Sequence, residues 1–268
     1  MLTVHDYLAW PAVVADQRVA YGPHPAQFGD LYLPAGSGPH PIIILIHGGC
    51  WQARFDLAPL GPLCAALRTA GWAVWSLEYR RLGDGGGWPN TFADVAAGAD
   101  ALRGLVAPLD RNRVIAAGHS AGGHLALWLA ARARLPHTAP GWQPDPLPIT
   151  GVLALAALAD LALAAQQQLC DGAVAALLGG MPEAQPERYA LASPAAQLPL
   201  GVPQYHIVGA DDPIVPPAYL QSYCAKATAH GDAVTLTVLP AAGHFEPVDP
   251  TSAAWPELLA ALDRIGAR

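Results

Sequence analysis

Ser120 sits at the centre of Gly118-His119-Ser120-Ala121-Gly122, a G-x-S-x-G sequence. Three fixed positions in five carry little weight alone, so the flanks decide. Val114 to Ala117 (VIAA) reads as a strand and Ala121 to Ala131 (AGGHLALWLAA) as a helix. A strand-to-helix turn this tight has no room for side chains beside the serine, and Gly118 and Gly122 supply none. Ser120 is then forced outward, above a helix N-terminus with free amides and a partial positive charge. That arrangement suits nucleophilic attack on a carbonyl.

A serine hydroxyl is a weak nucleophile at its own pKa, so it needs a base, and the base needs an orienting acid. After the Gln204–Val208 strand comes Gly-Ala-Asp211-Asp212-Pro-Ile-Val-Pro. A carboxylate there stands at the C-terminal end of a parallel strand, where such sheets place their sites. Asp211 and Asp212 compete. Asp212 is favoured because Pro213 fixes the turn behind it, and one of the pair can instead cap the next helix. After the Ala233–Leu239 strand comes Ala-Ala-Gly243-His244-Phe. Of the 10 histidines, His244 has the right topological place. His119 and His124 lie five residues apart, off a common helix face and outside any HExxH pattern, so no metal site is expected.

The oxyanion of an acyl transfer needs amide donors. His47-Gly48-Gly49-Cys50-Trp51 ends the apolar run IIILI and has the form of an HGGG-type loop. The amides of Gly49, Cys50 and Ala121 are the expected donors, with His47 holding the loop by hydrogen bonds. Cys50 reads either as a buried small thiol or as part of the acyl pocket. Trp51 reads either as a substrate-binding wall or as core. Arg80 is expected to pair with Asp94 rather than bind an anion, since buried arginines need a carboxylate.

These residues need a frame. Val19–Tyr21 and Gln27–Leu33 read as a hairpin around Gly22-Pro23. Ile42–His47 is a continuous apolar strand, the pattern of burial on both faces. Further strands are expected at 73–78, 113–117, 150–158, 204–208 and 233–239, the last an alternating, half-exposed edge strand. Helices are expected at 55–69, 91–106, 121–131, 217–230 and 252–265. Thr91 and Asp94 resemble a capping box for the second of these. Residues 135–148 hold five prolines and read as a loop. Strand–helix alternation means an α/β fold with a mostly parallel sheet of about eight strands and helices on both faces. Residues 160–200 are broken and too short for a core of their own, so they read as a lid-like insertion on a single domain, 1–268.

Composition supports this frame. The chain has 268 residues, 53% hydrophobic and 13% charged, with a net charge of -7. Disorder is excluded by the apolar content. Nucleic-acid binding lacks its basic footprint. A membrane span is not expected, because no apolar run approaches the ~20 residues it needs. The N-terminus lacks the basic and apolar regions of a signal peptide. Cys50, Cys64, Cys170 and Cys224 are scattered, and four reduced thiols in a cytoplasmic protein are expected.

Taken together, HGGCW, EYRR, GHSAGGHLALWLA, GADDPIVP and AGHF resemble the α/β-hydrolase family over nearly the whole chain and in the family's motif order. Within it, HGG-x-W and GHSAGGHLA resemble the arylformamidase (kynurenine formamidase) and hormone-sensitive-lipase-like esterase branch. Ala192-Ser193-Pro194 and GADDPIVP are similar to prolyl-oligopeptidase-type domains. The resemblance implies a serine hydrolase that cleaves a small ester or activated amide through Ser120, His244 and Asp212, with no cofactor. The expected partner is that small-molecule substrate, with a homodimer left open. A small peptidase is the alternative, with Glu246, Arg81 or Arg54 as anchor for a peptide terminus. A non-catalytic binding protein is the third reading, and it would normally have lost a triad member.

Overall fold

A computed structural model describes residues 1–266. Eight strands form one sheet: β1 (Gln17–Ala20), β2 (Phe28–Tyr32), β3 (His40–Ile46), β4 (Ala73–Leu77), β5 (Leu109–His119), β6 (Gly151–Leu155), β7 (Gln204–Gly209) and β8 (Val234–Leu239). Their spatial order is β1-β2-β4-β3-β5-β6-β7-β8. Only β2 runs against its neighbours; β4-β3-β5-β6-β7-β8 are all parallel. The helices are α1 (Val4–Leu8), α2 (Gly61–Thr69), α3 (Asn90–Asp100), α4 (Ala121–Ala131), α5 (Leu161–Gln166), α6 (Ala173–Leu178), α7 (Pro186–Ala192), α8 (Pro217–Ala229) and α9 (Ala254–Gly266).

The run IIILI explains the two-faced burial. Successive side chains on a strand point to opposite faces. Ile42, Ile44 and Ile46 enter one core with α3, α4, α8 and the 160–200 segment. Ile43 and Leu45 enter the other, with α2 and α9. A strand apolar at every position therefore serves two cores at once. Helix α4 carries this furthest, because all of Ala121–Leu129 is buried. No helix among the described residues is long and apolar enough to cross a membrane.

The expected elements recur with shifted ends. β5 begins at Leu109, ahead of the expected 113, and β8 is the half-exposed edge strand. Helix α2 starts only at Gly61, because Pro59 and Pro62 hold the residues before it in a 3₁₀ turn, Ala58–Leu60. The capping box at Thr91 does not form. The Thr91 hydroxyl donates to the Arg80 carbonyl (2.7 Å) and accepts the Gly87 amide (3.0 Å). Asp94 is taken by Arg80, through Nε at 2.8 Å and Nη2 at 2.7 Å, as the Arg80 reading expected. A guanidinium offers a buried carboxylate more than a helix-end amide does. The 160–200 segment is three short helices joined by turns, and its inner side packs into the larger core.

Candidate active site

The residues singled out for chemistry collect at the C-terminal ends of β3, β5, β7 and β8. Ser120 follows β5 directly, with φ 54° and ψ -118°. A non-glycine residue in that region is strained and persists only where its surroundings over-determine it. Here they do. The Ser120 amide donates to the Leu155 carbonyl (2.8 Å), and its carbonyl accepts the His124 amide (3.1 Å). A Cβ at Gly118 would overlap the Gly122 carbonyl, and one at Gly122 would overlap the Ile46 carbonyl. The elbow is thus clamped between β3 and the first turn of α4.

His244 Nδ1–H donates to Asp212 Oδ2 at 2.7 Å, with both side chains buried. The other carboxylate oxygen, Oδ1, accepts the Ile214 and Val215 amides, each at 2.8 Å. Pro213 shapes the turn that brings those amides round, and Oδ2 is left for the imidazole. Asp211 is exposed, so Asp212 is the one of the pair that meets His244. With Nδ1 committed to Asp212, Nε2 is the ring nitrogen left uncommitted. Ser120 and His244 line one cavity of about 790 Å³.

The loop after β3 lies against the elbow. A Cβ on Gly48 would sit 2.8 Å from the His119 carbonyl oxygen and 3.1 Å from Ser120 Cβ. The chain then makes three left-handed residues in a row: Gly49 (φ 99°), Cys50 (φ 50°) and Trp51 (φ 55°). Among the described residues, the amides of Gly49, Cys50 and Ala121 donate to no protein acceptor. Gly49 and Cys50 line the cavity beside Ser120, and unpaired amides at such a place are suited to a developing oxyanion.

Two expectations about this loop need correcting. Trp51 is not a substrate-binding wall. It is fully buried, lies edge-on to His124 with ring centroids 5.4 Å apart, and does not line the cavity. Its positive φ turns the indole into the core. Cys50 is not a free thiol: it lines the cavity and is disulfide-bonded to Cys170, 120 residues later. Four reduced thiols is therefore wrong for that pair. Cys64 and Cys224 are free and buried, and burial pushes both thiols up to about 12.

Further contacts hold this loop and the backbone of His244. The His47 ring faces two acceptors, Glu78 Oε1 (2.9 Å) and the Gly48 carbonyl (2.8 Å), as expected for a residue that holds the loop. Burial pushes the Glu78 carboxyl up, but His47 and Arg81 outweigh it and hold it below its usual range. In the sequence, His119 is only the spacer of the motif. Its Nε2–H donates to the His244 carbonyl (2.9 Å), with the two rings 4.6 Å apart. Burial, and then the neighbouring His244, push the His119 pKa well below its ordinary value, so that ring stays neutral. Glu246 accepts the Leu2 amide (2.6 Å) and the Gly243 amide (2.8 Å) and so ties the N-terminal segment to the His244 loop. Helix α1 then lines the cavity with Val4, Tyr7 and Leu8. Its signal in the sequence was Thr3 with Asp6: the Asp6 amide donates to the Thr3 hydroxyl (3.2 Å) and the Thr3 amide to the Asp6 carboxylate (2.9 Å).

Of the three anchors suggested for a peptide terminus, Glu246 is taken by those amides. Arg81 is buried against Glu78 (3.1 Å). Arg54 remains at the cavity mouth, over the Phe55 ring at 4.8 Å. His119 and His124 do not converge on a shared ligand, because His124 Nε2–H donates to the Ala192 carbonyl (2.9 Å).

Comparison with known proteins agrees with this architecture. A family model described as BD-FAE matches residues 29–226. Esterase LipC of Mycobacterium tuberculosis (strain ATCC 25618 / H37Rv) is 26% identical over 245 residues, 85% of this chain and 59% of LipC. Among solved structures, a bifunctional GH43-CE protein of Bacteroides eggerthii superposes with TM-score 0.76 at 21% identity, over 93% of this chain and 37% of that one. Esterase B of Lactobacillus rhamnosis, inhibited by a tributyrin phosphonate, superposes with TM-score 0.80 at 22% identity, over 98% of this chain and 89% of its own. The chain spans about three fifths of the first relative's length and little over a third of the second's.

Proposed function

This chain belongs to the BD-FAE family and has the α/β-hydrolase fold, and from that premise we propose that it is a serine esterase acting as one catalytic domain on small carboxylic esters. The observation that carries the reading is the buried Asp212–His244 pair, opening onto the same cavity as the strained Ser120. Ser120 attacks the ester carbonyl while His244 Nε2 takes its proton. Asp212 keeps Nδ1 protonated and stabilises the imidazolium as it forms. The amides of Gly49, Cys50 and Ala121 bind the oxyanion. His244 returns its proton to the departing alcohol, and water then releases the acid from the acyl-enzyme by the same steps reversed.

Tyr7, Phe55, Ile214 and Phe245 give the cavity apolar surface suited to a short or aryl acyl group, while Gln167 and Gln168 offer polar contacts opposite. An N-formyl aryl amine would be cleaved by the same steps, so arylformamidase activity is the finer alternative. The Cys50–Cys170 bridge favours an oxidising compartment over the cytoplasm first expected. Steady-state comparison of short p-nitrophenyl esters, feruloyl esters and N-formylkynurenine tests the reading. Turnover of at least one ester class, with kcat/KM above that for N-formylkynurenine, is expected. Cleavage of the formamide alone would replace the esterase reading, and no turnover on the panel would contradict it.

A further inference from the structure

The Cys50–Cys170 bridge joins two cavity-lining segments from distant parts of the chain, the turn after β3 and the loop after α5. Both lie in backbone that non-glycine residues avoid. Gly49, Cys50 and Trp51 have φ of 99°, 50° and 55°; Gln168, Cys170, Asp171 and Gly172 have φ of 56°, 59°, 52° and 80°. Residues in such conformations need external ties to stay there. The turn after β3 has some: the Leu82 amide donates to the Trp51 carbonyl (2.7 Å), and Trp51 is embedded in the core. Cys50 itself has none through its backbone among the described residues. The Gln168–Gly172 loop bonds through its backbone only to the helices on either side of it, the Gln168 amide to the Ala165 carbonyl (3.1 Å) and the Cys170 carbonyl to the Ala173 amide, among the described residues. The sulfur bridge is thus the one covalent tie between the oxyanion turn and the facing wall.

We propose that Cys170 is a positioning residue: through its bond to Cys50 it holds the Cys50 amide in the oxyanion hole and the Gln167–Asp171 wall over the cavity, so that reducing the bridge lowers turnover and broadens acyl selectivity reversibly. This rests on the reading of the Cys50 amide as an oxyanion donor. The reaction is thiol–disulfide exchange. A dithiol attacks one sulfur, then closes on itself, giving up two electrons and two protons; Cys50 and Cys170 become thiols and the reagent becomes a cyclic disulfide. Both half-cystines line the cavity, and Cys50, the less buried of the two, is the sulfur open to the reagent. Cys64 and Cys224 are buried with their thiols raised to about 12, and neither competes as a thiolate.

The test compares the oxidised chain, the chain treated with dithiothreitol and C50S/C170S, using p-nitrophenyl acetate and p-nitrophenyl octanoate. Thiols are counted by alkylation and mass, folding is followed by circular dichroism, and Ser120 is labelled with a fluorophosphonate. Loss of one oxyanion donor lowers kcat by about 10²–10³-fold. A loosened donor should therefore lower kcat by about tenfold or more on reduction, with unchanged circular dichroism, a raised octanoate-to-acetate ratio and recovery on reoxidation. C50S/C170S should start low and ignore dithiothreitol. The proposal is overturned if the reduced chain keeps kcat and the substrate ratio within twofold, if C50S/C170S still responds, or if reduction unfolds the chain, which would make the bridge merely structural. An oxidised chain that neither turns over ester nor labels at Ser120 brings down the esterase reading itself. An oxidised chain that does both but ignores reduction brings down only this proposal.

Discussion

The elbow at Ser120 and the wall at Gln167–Asp171 face each other across one cavity, yet they are held in different ways. The elbow is fixed by its own neighbours. Gly118 and Gly122 let β3, β5 and α4 close on it, and the strain at Ser120 is absorbed by backbone hydrogen bonds to Leu155 and His124. The wall carries comparable backbone strain, and a covalent bond ties it to Cys50, 120 residues earlier. Ser120 is therefore built into the sheet, while the facing wall is tied to it through a bond to a distant residue.

The largest effect belongs to the elbow and its triad. Ser120→Ala should lower kcat by about 10⁴-fold or more while leaving the thermal midpoint unchanged, because the hydroxyl supports chemistry and not packing. Esterase assays beside thermal melts check both halves. Asp212→Asn should cost about 10⁴-fold by favouring the wrong tautomer of His244. Asp211→Asn should stay within twofold, and equal losses from the two would refute the geometric choice between them. Cutting the fastening should do the opposite in stability. C50S/C170S frees a long loop in the unfolded chain and should lose about 2–5 kcal/mol in urea unfolding. A loss under about 0.5 kcal/mol would mean the wall is held by packing alone.

A smaller effect tests the join between the regions. His124, on the helix behind the elbow, donates to Ala192 of the insertion, and His206 lies inside β7. Burial lowers both rings to about 4, from 6.5. Between those values the unfolded chain binds protons that the folded chain refuses. Stability from this source is complete above pH 6.5 and is lost as pH falls toward 4, at up to about 1.4 kcal/mol per pH unit for each ring. Unfolding at pH 7 and pH 5 measures the slope, and H206Q should make it shallower. An unchanged slope would show that His206 does not contribute.

The same contrast governs what the sequence discloses. The elbow, the acid and histidine loops and the two-faced strand β3 are legible because each is a local pattern: glycines around a serine, polar residues after an apolar run, or continuous apolar residues. The choice of Asp212 could be argued from Pro213 alone. What stays hidden depends on distant partners. Nothing in the spacing of scattered cysteines pairs Cys50 with Cys170. The inward turn of Trp51 follows from a positive φ that no residue type at that position announces. Thr91 and Asp94 have the form of a capping box, but Arg80, fourteen residues earlier, claims the carboxylate. The role of His119 appears only when the His244 carbonyl, 125 residues on, lands beside its ring.

The proposed nucleophile is Ser120, activated by His244 and Asp212. Treating the oxidised protein with a fluorophosphonate and mapping the adduct by peptide mass tests it most directly. One adduct is expected, on Ser120, formed with parallel loss of esterase activity and absent from His244→Ala under the same exposure. An adduct on another residue, or full inactivation with Ser120 unmodified, would contradict it.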